Sequence, residues 1–145
     1  MVQRAQAEEE LRRLSMEMRY LEQTADTLQQ RISMVNAALT DINYANMTLD
    51  GIEKEKENSE LLVPIGGSSY VKVKLADPNK VIIGLGSGVS IEKTLPEAKA
   101  TLKERLDELE KTMHSAQQQF SQVAERINSG RSRLENLLST REGKQ

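Results

Sequence analysis

The sequence predicts an α+β, mainly α protein. Two long helices form an antiparallel coiled-coil hairpin, and a small β region of two hairpins joins them. Three observations favour this fold class. Apolar residues keep heptad spacing through the first third of the 145-residue chain, and a second such series occupies the last third. Between them, residues 61–91 contain most of the glycines and prolines beside many Val, Ile and Leu residues, which is typical of short strands and turns.

The composition excludes several classes of protein. With one Phe, three Tyr and no Trp, the chain is better suited to a helical rod than to a compact globular core. The net charge of −2 gives no indication of a nucleic-acid partner, and the absence of Cys excludes disulfides and thiol chemistry. No apolar run approaches the ~20 residues that span a bilayer. The first residues also lack the apolar centre of a signal peptide, so we expect a cytoplasmic protein.

The spacing divides the chain into an N-terminal helix over residues 1–57, a β region over 58–93, a C-terminal helix over 94–140 and a disordered tail over 141–145. All four segments should belong to one domain. The first seam alternates heptad positions a and d without a slip. Its residues are Leu11, Leu14, Met18, Leu21, Ala25, Leu28, Ile32, Val35, Leu39 and Ile42. The charged residues 53–60 continue no seam, so this helix should end in the fifties.

The β region should contain four strands, near Leu61–Ile65, Tyr70–Leu75, Val81–Leu85 and Val89–Glu92. Glycine-rich turns at 66–68 and 86–88 should close two hairpins, which Asp77-Pro78-Asn79 would connect. Four short strands cannot bury a stable core alone, so their apolar faces and free edges require other chains. The candidate assembly residues are Val63, Ile65, Val71, Val73, Leu75, Val81, Ile83, Leu85, Val89 and Ile91.

The second helix should begin at a capping box, in which Thr94 accepts a hydrogen bond from the N–H of Glu97. Its seam is interrupted only by Lys99 and Gly130, and Gly130 should leave a hole at a d position. The seam residues are Leu95, Leu102, Leu106, Leu109, Met113, Ala116, Phe120, Val123, Ile127, Leu134 and Leu137. Because the two helices match in length, we expect them to pack antiparallel, with both chain termini at the end remote from the β region.

Several apolar residues near the chain termini exceed what a two-helix seam needs. Met16 falls at position f and Leu138 at position e, whereas Leu137 already occupies the seam. Isolated exposed apolar residues are ordinary, so both a surface without a role and an interaction surface remain open. The candidate interaction residues at these helix tips are Val2, Leu11, Leu14, Met16, Leu134, Leu137 and Leu138.

No pattern indicates catalysis, a metal or a cofactor. The glycines of residues 84–88 resemble a phosphate-binding loop, but no Lys-Ser or Lys-Thr follows them and the next residues predict a strand, which favours a hairpin turn. His114, the single histidine, falls at the solvated heptad position b, and no carboxylate or Cys cluster accompanies it. We therefore predict a non-enzyme without cofactors that neither binds nor hydrolyses ATP.

The chain resembles the prefoldin family, and within it the archaeal alpha class. The motifs that carry the resemblance are Leu62-Val63-Pro64-Ile65-Gly66, Gly86-Ser87-Gly88-Val89 and Glu92-Lys93-Thr94. Space for two hairpins also favours the alpha class, since beta-class subunits have one. Two departures affect the first turn and the third strand: Ser68 replaces a common second loop glycine, and Gly84 stands where Ser is common.

This resemblance implies an ATP-independent holdase. Two alpha and four beta subunits would form a hexamer through an intersubunit β-barrel platform, from which six coiled coils extend. Non-native proteins would be held between the coiled-coil tips and passed to a group II chaperonin. The alternative is a structural protein, such as a filament-forming prefoldin paralogue or a coiled-coil spacer. An enzyme or nucleotide switch is disfavoured because no constellation of nucleophile and base, phosphate loop or metal cluster is present.

Overall fold

A computed structural model describes residues 2–143, and for residues 141–143 it describes the backbone only. The elements in chain order are α1 (Val2–Glu53), β1 (Glu60–Gly66), β2 (Ser69–Lys74), β3 (Lys80–Gly86), β4 (Val89–Thr94) and α2 (Leu95–Gly143). Two long helices therefore flank four short antiparallel strands, and the predicted mainly helical α+β class is confirmed. No helix within residues 2–143 has an apolar stretch that could cross a membrane.

Most element boundaries differ from the predicted ones by a few residues. Helix α1 ends at Glu53, within the predicted interval, whereas Leu75 lies just beyond β2. Helix α2 continues to Gly143, so the predicted disorder of the tail is wrong for residues 141–143. Residues 131–142 contain neither Gly nor Pro, and nothing in them stops a helix before Gly143. Met1, Lys144 and Gln145, the last two of which belong to the predicted tail, lie outside the described residues.

Two compact units make up the chain, one formed by residues 1–37 with 111–145 and the other by residues 38–110. The first unit is a two-helix coiled coil. Glu10 pairs with Arg133 and Glu17 with Arg126, so residue numbers rise along one helix as they fall along the other, as in an antiparallel pair. Every predicted seam residue in this unit is buried or half-buried. The most buried apolar side chains are those of Met18, Leu21, Leu28, Val35 and Ala116.

Gly130 does not leave the hole that its d position predicts. A Cβ placed on Gly130 would collide with Sδ of Met18, whose side chain is buried. The unbranched thioether of Met18 therefore occupies the space that a larger residue would fill, as suits a flexible side chain in an irregular gap. At this level the seam is filled by the Met18 side chain, because Gly130 on the facing helix has none.

The second unit has a core between the helices and the second hairpin. Ala98 is fully buried, and Leu49, Leu95 and Leu102 surround it. Ile83 of β3 joins the same cluster at 5% exposure, which attaches that strand to the helices. The backbone N–H of Glu97 lies 3.4 Å from Oγ1 of Thr94, so the predicted N-cap of α2 is present.

Each hairpin forms its own two-stranded antiparallel sheet. Residue Val63 faces Val71 in the first hairpin (β1–β2), and Ile83 faces Ile91 in the second (β3–β4). The register shifts between Pro64 and Gly66 and, at the corresponding point, between Gly84 and Gly86. One extra residue, Ile65 or Leu85, is therefore bulged from each ladder.

The two hairpin turns share one backbone conformation. Gly66, Gly67 and Ser68 have φ values of 99°, 57° and 58°, and Gly86, Ser87 and Gly88 have 98°, 53° and 77°. The two central residues of each turn are thus left-handed, as type I′ turns require. Before each turn stands a glycine whose φ near +98° is open to glycine but strained for other residues. The sequence difference at Ser68 has left the turn unchanged.

The loops that flank the hairpins are held by backbone hydrogen bonds. Asp77 accepts a bond from the backbone N–H of Asn79 at 2.9 Å, which forms the predicted turn between the hairpins. Asn58, with a φ of 69°, donates its N–H to the carbonyl of Leu75 at 2.7 Å. The N–H of Leu75 in turn donates to Ser59 at 2.9 Å, so the base of the first hairpin is tied to the end of the α1 loop.

The turn geometry generates a test with a matched control. Gly86→Ala places a Cβ at φ 98°, whereas Gly84→Ala adds one in the same strand at ordinary φ and in open space. We expect Gly86→Ala to lower the free energy of unfolding by about 1–3 kcal/mol and Gly84→Ala to change it by under about 1 kcal/mol. Thermal and urea unfolding followed by circular dichroism measure both. Equal losses would show that backbone strain at Gly86 is not the cause.

Candidate functional site

The first candidate surface is the β region, where most of the predicted assembly residues are solvent-exposed. Seven of the ten have open side chains: Val63, Ile65, Val71, Val73, Leu85, Val89 and Ile91. The other three are covered by this chain itself. Ile83 is buried, Val81 packs against the same cluster, and Leu75 is half-buried at the base of the first hairpin.

The first hairpin has one apolar and one cationic face, as the alternation predicts. Leu61 faces Val73 and Val63 faces Val71, so these four side chains share a face. On the opposite face Lys72 lies across from Leu62, and Lys74 lies across from Glu60. Almost every residue of both strands is exposed, so the chain itself covers little of the apolar face.

The second hairpin is docked on the helices by packing and by two hydrogen bonds. Ile83 and Val81 pack into the helical core. Nζ of Lys93 donates to Oγ1 of Thr101 at 3.0 Å. One guanidinium nitrogen of Arg105 donates to the carbonyl of Gly84 at 2.6 Å, next to the bulge. Both hydrogen bonds join the second hairpin to α2, whereas the packing of Ile83 also involves Leu49 of α1.

Three exposed apolar residues of this region, Leu62, Tyr70 and Ile82, lie on the polar faces of their strands and were not among the predicted assembly residues. Ile82 is 75% exposed and faces Glu92, and Leu62 faces Lys72. Period-two alternation assigns all three residues to those faces, and for that reason none was singled out. The continuous apolar run Val81-Ile82-Ile83 was the available signal, since such runs favour a strand that is covered on both faces.

The second candidate surface lies near the chain termini in the coiled-coil unit. Val2, Met16 and Leu138 are exposed. The other predicted tip residues, Leu11, Leu14, Leu134 and Leu137, are half-buried along the seam. Helix α1 is continuous from Val2, and Nε of Arg133 donates to Glu10 at 3.0 Å across the helix pair. The seam leucines are therefore engaged in the coiled coil, whereas three off-seam side chains are open.

The break in the second seam at Lys99 is filled by charge pairing. Nζ of Lys99 lies 2.9 Å from Oδ1 of Asp50 and also bonds the carboxylate of Glu53. Both acids stand in the last turn of α1, where the helix dipole disfavours negative charge, so the ammonium compensates them. Hydrogen bonds to Glu53 and then to Asp50 raise the pKa of Lys99 above its ordinary value.

Comparison with known proteins shows that the chain is similar to prefoldin subunits over most of its length. The family model described as "Prefoldin subunit" matches residues 21–139. The prefoldin subunit alpha of Pyrococcus horikoshii is 33% identical over 124 residues, which cover 85% of this chain and 84% of that protein.

Two solved structures share the fold. A filamentous PFD from Methanocaldococcus jannaschii has a TM-score of 0.66 at 21% identity, over 77% of this chain and 92% of that one. The prefoldin beta subunit from Thermococcus strain KS-1 has a TM-score of 0.59 at 16% identity, over 88% and 90% of the two chains.

The charge cluster at Lys99 predicts a pH dependence with a defined sign. Since its pKa is raised on folding, the stability it contributes is complete below the unfolded pKa of about 10.4 and is lost as pH rises through the folded pKa. Between about pH 9 and pH 12, wild type should therefore lose more stability than Lys99→Met. Urea unfolding of both proteins across this range measures the difference. Parallel pH profiles would show that the pairs contribute nothing to folding.

Proposed function

This chain belongs to the prefoldin family, and we propose that it is an alpha-class subunit of a hexameric prefoldin, acting as an ATP-independent holdase in the cytoplasm. Two such chains would join four beta-class subunits. The complex would hold non-native proteins at its coiled-coil tips and deliver them to a group II chaperonin. The chain would contribute no catalysis, cofactor or nucleic-acid site.

The observation that carries this proposal is the uncovered apolar face of the first hairpin. Leu61, Val63, Val71 and Val73 share that face, and the last three are exposed. A two-stranded hairpin is marginal in water by itself, and its unpaired edges accept strands of other chains. Beta-class subunits of the kind found in Thermococcus would supply those strands, and the sheets would close into the β-barrel platform that residues 58–93 were predicted to build.

Client binding is assigned to the exposed side chains near the chain termini. Val2, Met16 and Leu138 offer apolar area that an unfolded protein can cover at ~25 cal/mol per Å². The half-buried Leu11, Leu14, Leu134 and Leu137 would add area if the ends of the helices separate. Each tip would bind weakly, and several tips on one platform would hold a large client by avidity.

A structural, filament-forming role is the second candidate. It is favoured by the likeness to the filamentous assembly from Methanocaldococcus jannaschii. In that case the exposed hairpin faces would propagate from copy to copy instead of closing a hexamer. The mass of the assembly separates the two roles, because a hexamer has one defined mass and a filament grows with concentration.

The assembly surface predicts different effects from the two faces of the first hairpin. Val73→Lys puts a charge on the apolar face, where burial of an unpaired ammonium costs several kcal/mol, about 3–5. Leu62→Lys adds the same charge to the cationic face opposite Lys72. We expect light scattering to show dissociation for Val73→Lys, with helical circular dichroism retained, and an intact complex for Leu62→Lys. An unchanged mass for Val73→Lys would remove the apolar face from the assembly surface.

The tip assignment predicts loss of holding without loss of assembly. Deleting residues 1–14 and 131–145 should leave the complex assembled but unable to suppress aggregation of a denatured test protein in a buffer without ATP. The triple variant Val2→Ser/Met16→Ser/Leu138→Ser should weaken suppression several-fold, about the effect of removing three exposed side chains. Met34→Ser is the control, since Met34 is equally open outside the tips. Full suppression by the truncated complex would contradict the assignment.

A further inference from the structure

A groove in the second unit lies between the two helices beside the docked hairpin. The groove is open to solvent and has a volume of about 460 Å³. Its lining includes Asp41, Ile42, Tyr44 and Ala45 of α1 and Leu102 and Arg105 of α2. The tip residues and the apolar face of the first hairpin contribute nothing to this lining. It is therefore separate from both surfaces to which the proposed function assigns a role.

The α1 wall of the groove is apolar and open. Tyr44 in the lining is 65% exposed, and Met47, which lies outside the lining one turn further along the same helix, is 68% exposed. The coiled-coil seam does not need either side chain, since it uses Ile42 and Leu49 at this level. From residue 38 to residue 49 the helix has one charged residue, Asp41, whereas the α2 segment 99–110 has seven. The charged, well-solvated side chains thus lie mainly on α2, and the α1 wall exposes apolar surface that a ligand can cover.

The two charges at the groove are not equivalent. The guanidinium of Arg105 donates to the carbonyl of Gly84 at 2.6 Å, so it is engaged with the bulged strand. Asp41 is exposed and forms no ion pair with any residue within 2–143. An open carboxylate beside an aromatic ring and aliphatic side chains complements an apolar group that has a cation next to it.

We propose that this groove is a second polypeptide-binding subsite, which takes an extended non-native segment with an apolar or aromatic side chain next to lysine or arginine. The apolar side chain packs on the exposed ring of Tyr44, over the accessible edges of the largely buried Ile42 and Leu102, and the cation pairs with Asp41. The subsite rests on the proposed holdase function, which it deepens by adding a charge preference that the apolar tips lack. A basic-apolar segment is thereby distinguished from an acidic one of equal hydrophobicity.

The experiment uses the assembled complex and two fluorescein-labelled synthetic peptides of equal length, one alternating Phe with Lys and the other Phe with Glu. Fluorescence anisotropy at two salt concentrations measures their dissociation constants. We expect the Lys peptide to bind more tightly, and Tyr44→Ser to weaken it about tenfold. Asp41→Lys should reverse the preference between the two peptides. Tyr20→Ser and Asp26→Lys are matched controls on the same helix outside the groove, and both should leave the constants within about twofold.

The outcomes separate this inference from the holdase proposal. The tip-deleted complex should lose suppression of aggregation but keep binding of the Lys peptide. Unchanged peptide affinities in Tyr44→Ser and Asp41→Lys would overturn the subsite alone, and so would equal losses in the two controls. A fall in the mass of the complex on Tyr44→Ser would also overturn it, because the groove would then be a contact between subunits. Failure of the intact complex to suppress any aggregation would instead overturn the holdase proposal.

Discussion

The contact on which the β region depends is the packing of Ile83 against the helical core. Ile83 belongs to β3, and its side chain is buried with Leu49, Leu95 and Ala98. Ala98 can be fully buried because its small side chain lets the strand approach the helix closely. Full burial of an Ile side chain is worth about 1.5–3 kcal/mol, more than the about 0.5–1.5 kcal/mol of an ordinary neutral hydrogen bond. The second hairpin is therefore an extension of the helical core.

Docking of one hairpin leaves the other without a partner in its own chain. Ile83 and Val81 of the second hairpin pack against the buried cluster of Leu49, Leu95 and Ala98 on the helix pair. The first hairpin is joined at its base, where Asn58 and Ser59 bond the backbone of Leu75. Its apolar face is consequently available to other chains. Two hairpins with the same turn geometry thus differ in their attachment: the second is anchored to the helices through Ile83 and Val81, and the first is joined only at its base.

Polar interruptions fix the pairing of the helices where the apolar seam is broken. At Lys99 the seam residue is replaced by a cation that reaches Asp50 and Glu53. At Gly130 the missing side chain is replaced by Met18 from the facing helix. A seam of interchangeable aliphatic residues permits several registers, whereas each of these interruptions is matched by residues at one level of the facing helix. The exposed pairs add little free energy, and their contribution is to the alignment of the helices.

The sequence alone determined the helices, the strands and the turns, because these depend on local periodicity and on the backbone preferences of a few residues. Every residue that the heptad spacing assigned to the two seams is buried or half-buried, although the fully buried Ala98 lay outside the predicted seam. Gly66 and Gly86 marked both hairpin ends. The family resemblance also followed from short motifs. The accessibility of the predicted site residues did not follow from the pattern: seven of the ten β-region residues and three of the seven tip residues are exposed, and the others are at least half-buried.

Only the tertiary structure decided which apolar face each element covers. Alternation shows that Val71 and Ile83 each lie on an apolar face of a strand. It does not show that Val71 is exposed and that Ile83 is buried against α1 and α2. The same limit applies to Met18, whose role opposite Gly130 requires two positions 112 residues apart in sequence to be adjacent. The groove at Asp41 and Tyr44 combines both helices, so neither helical pattern contains it. Periodicity assigns residues to faces, whereas packing between distant segments decides which faces remain accessible.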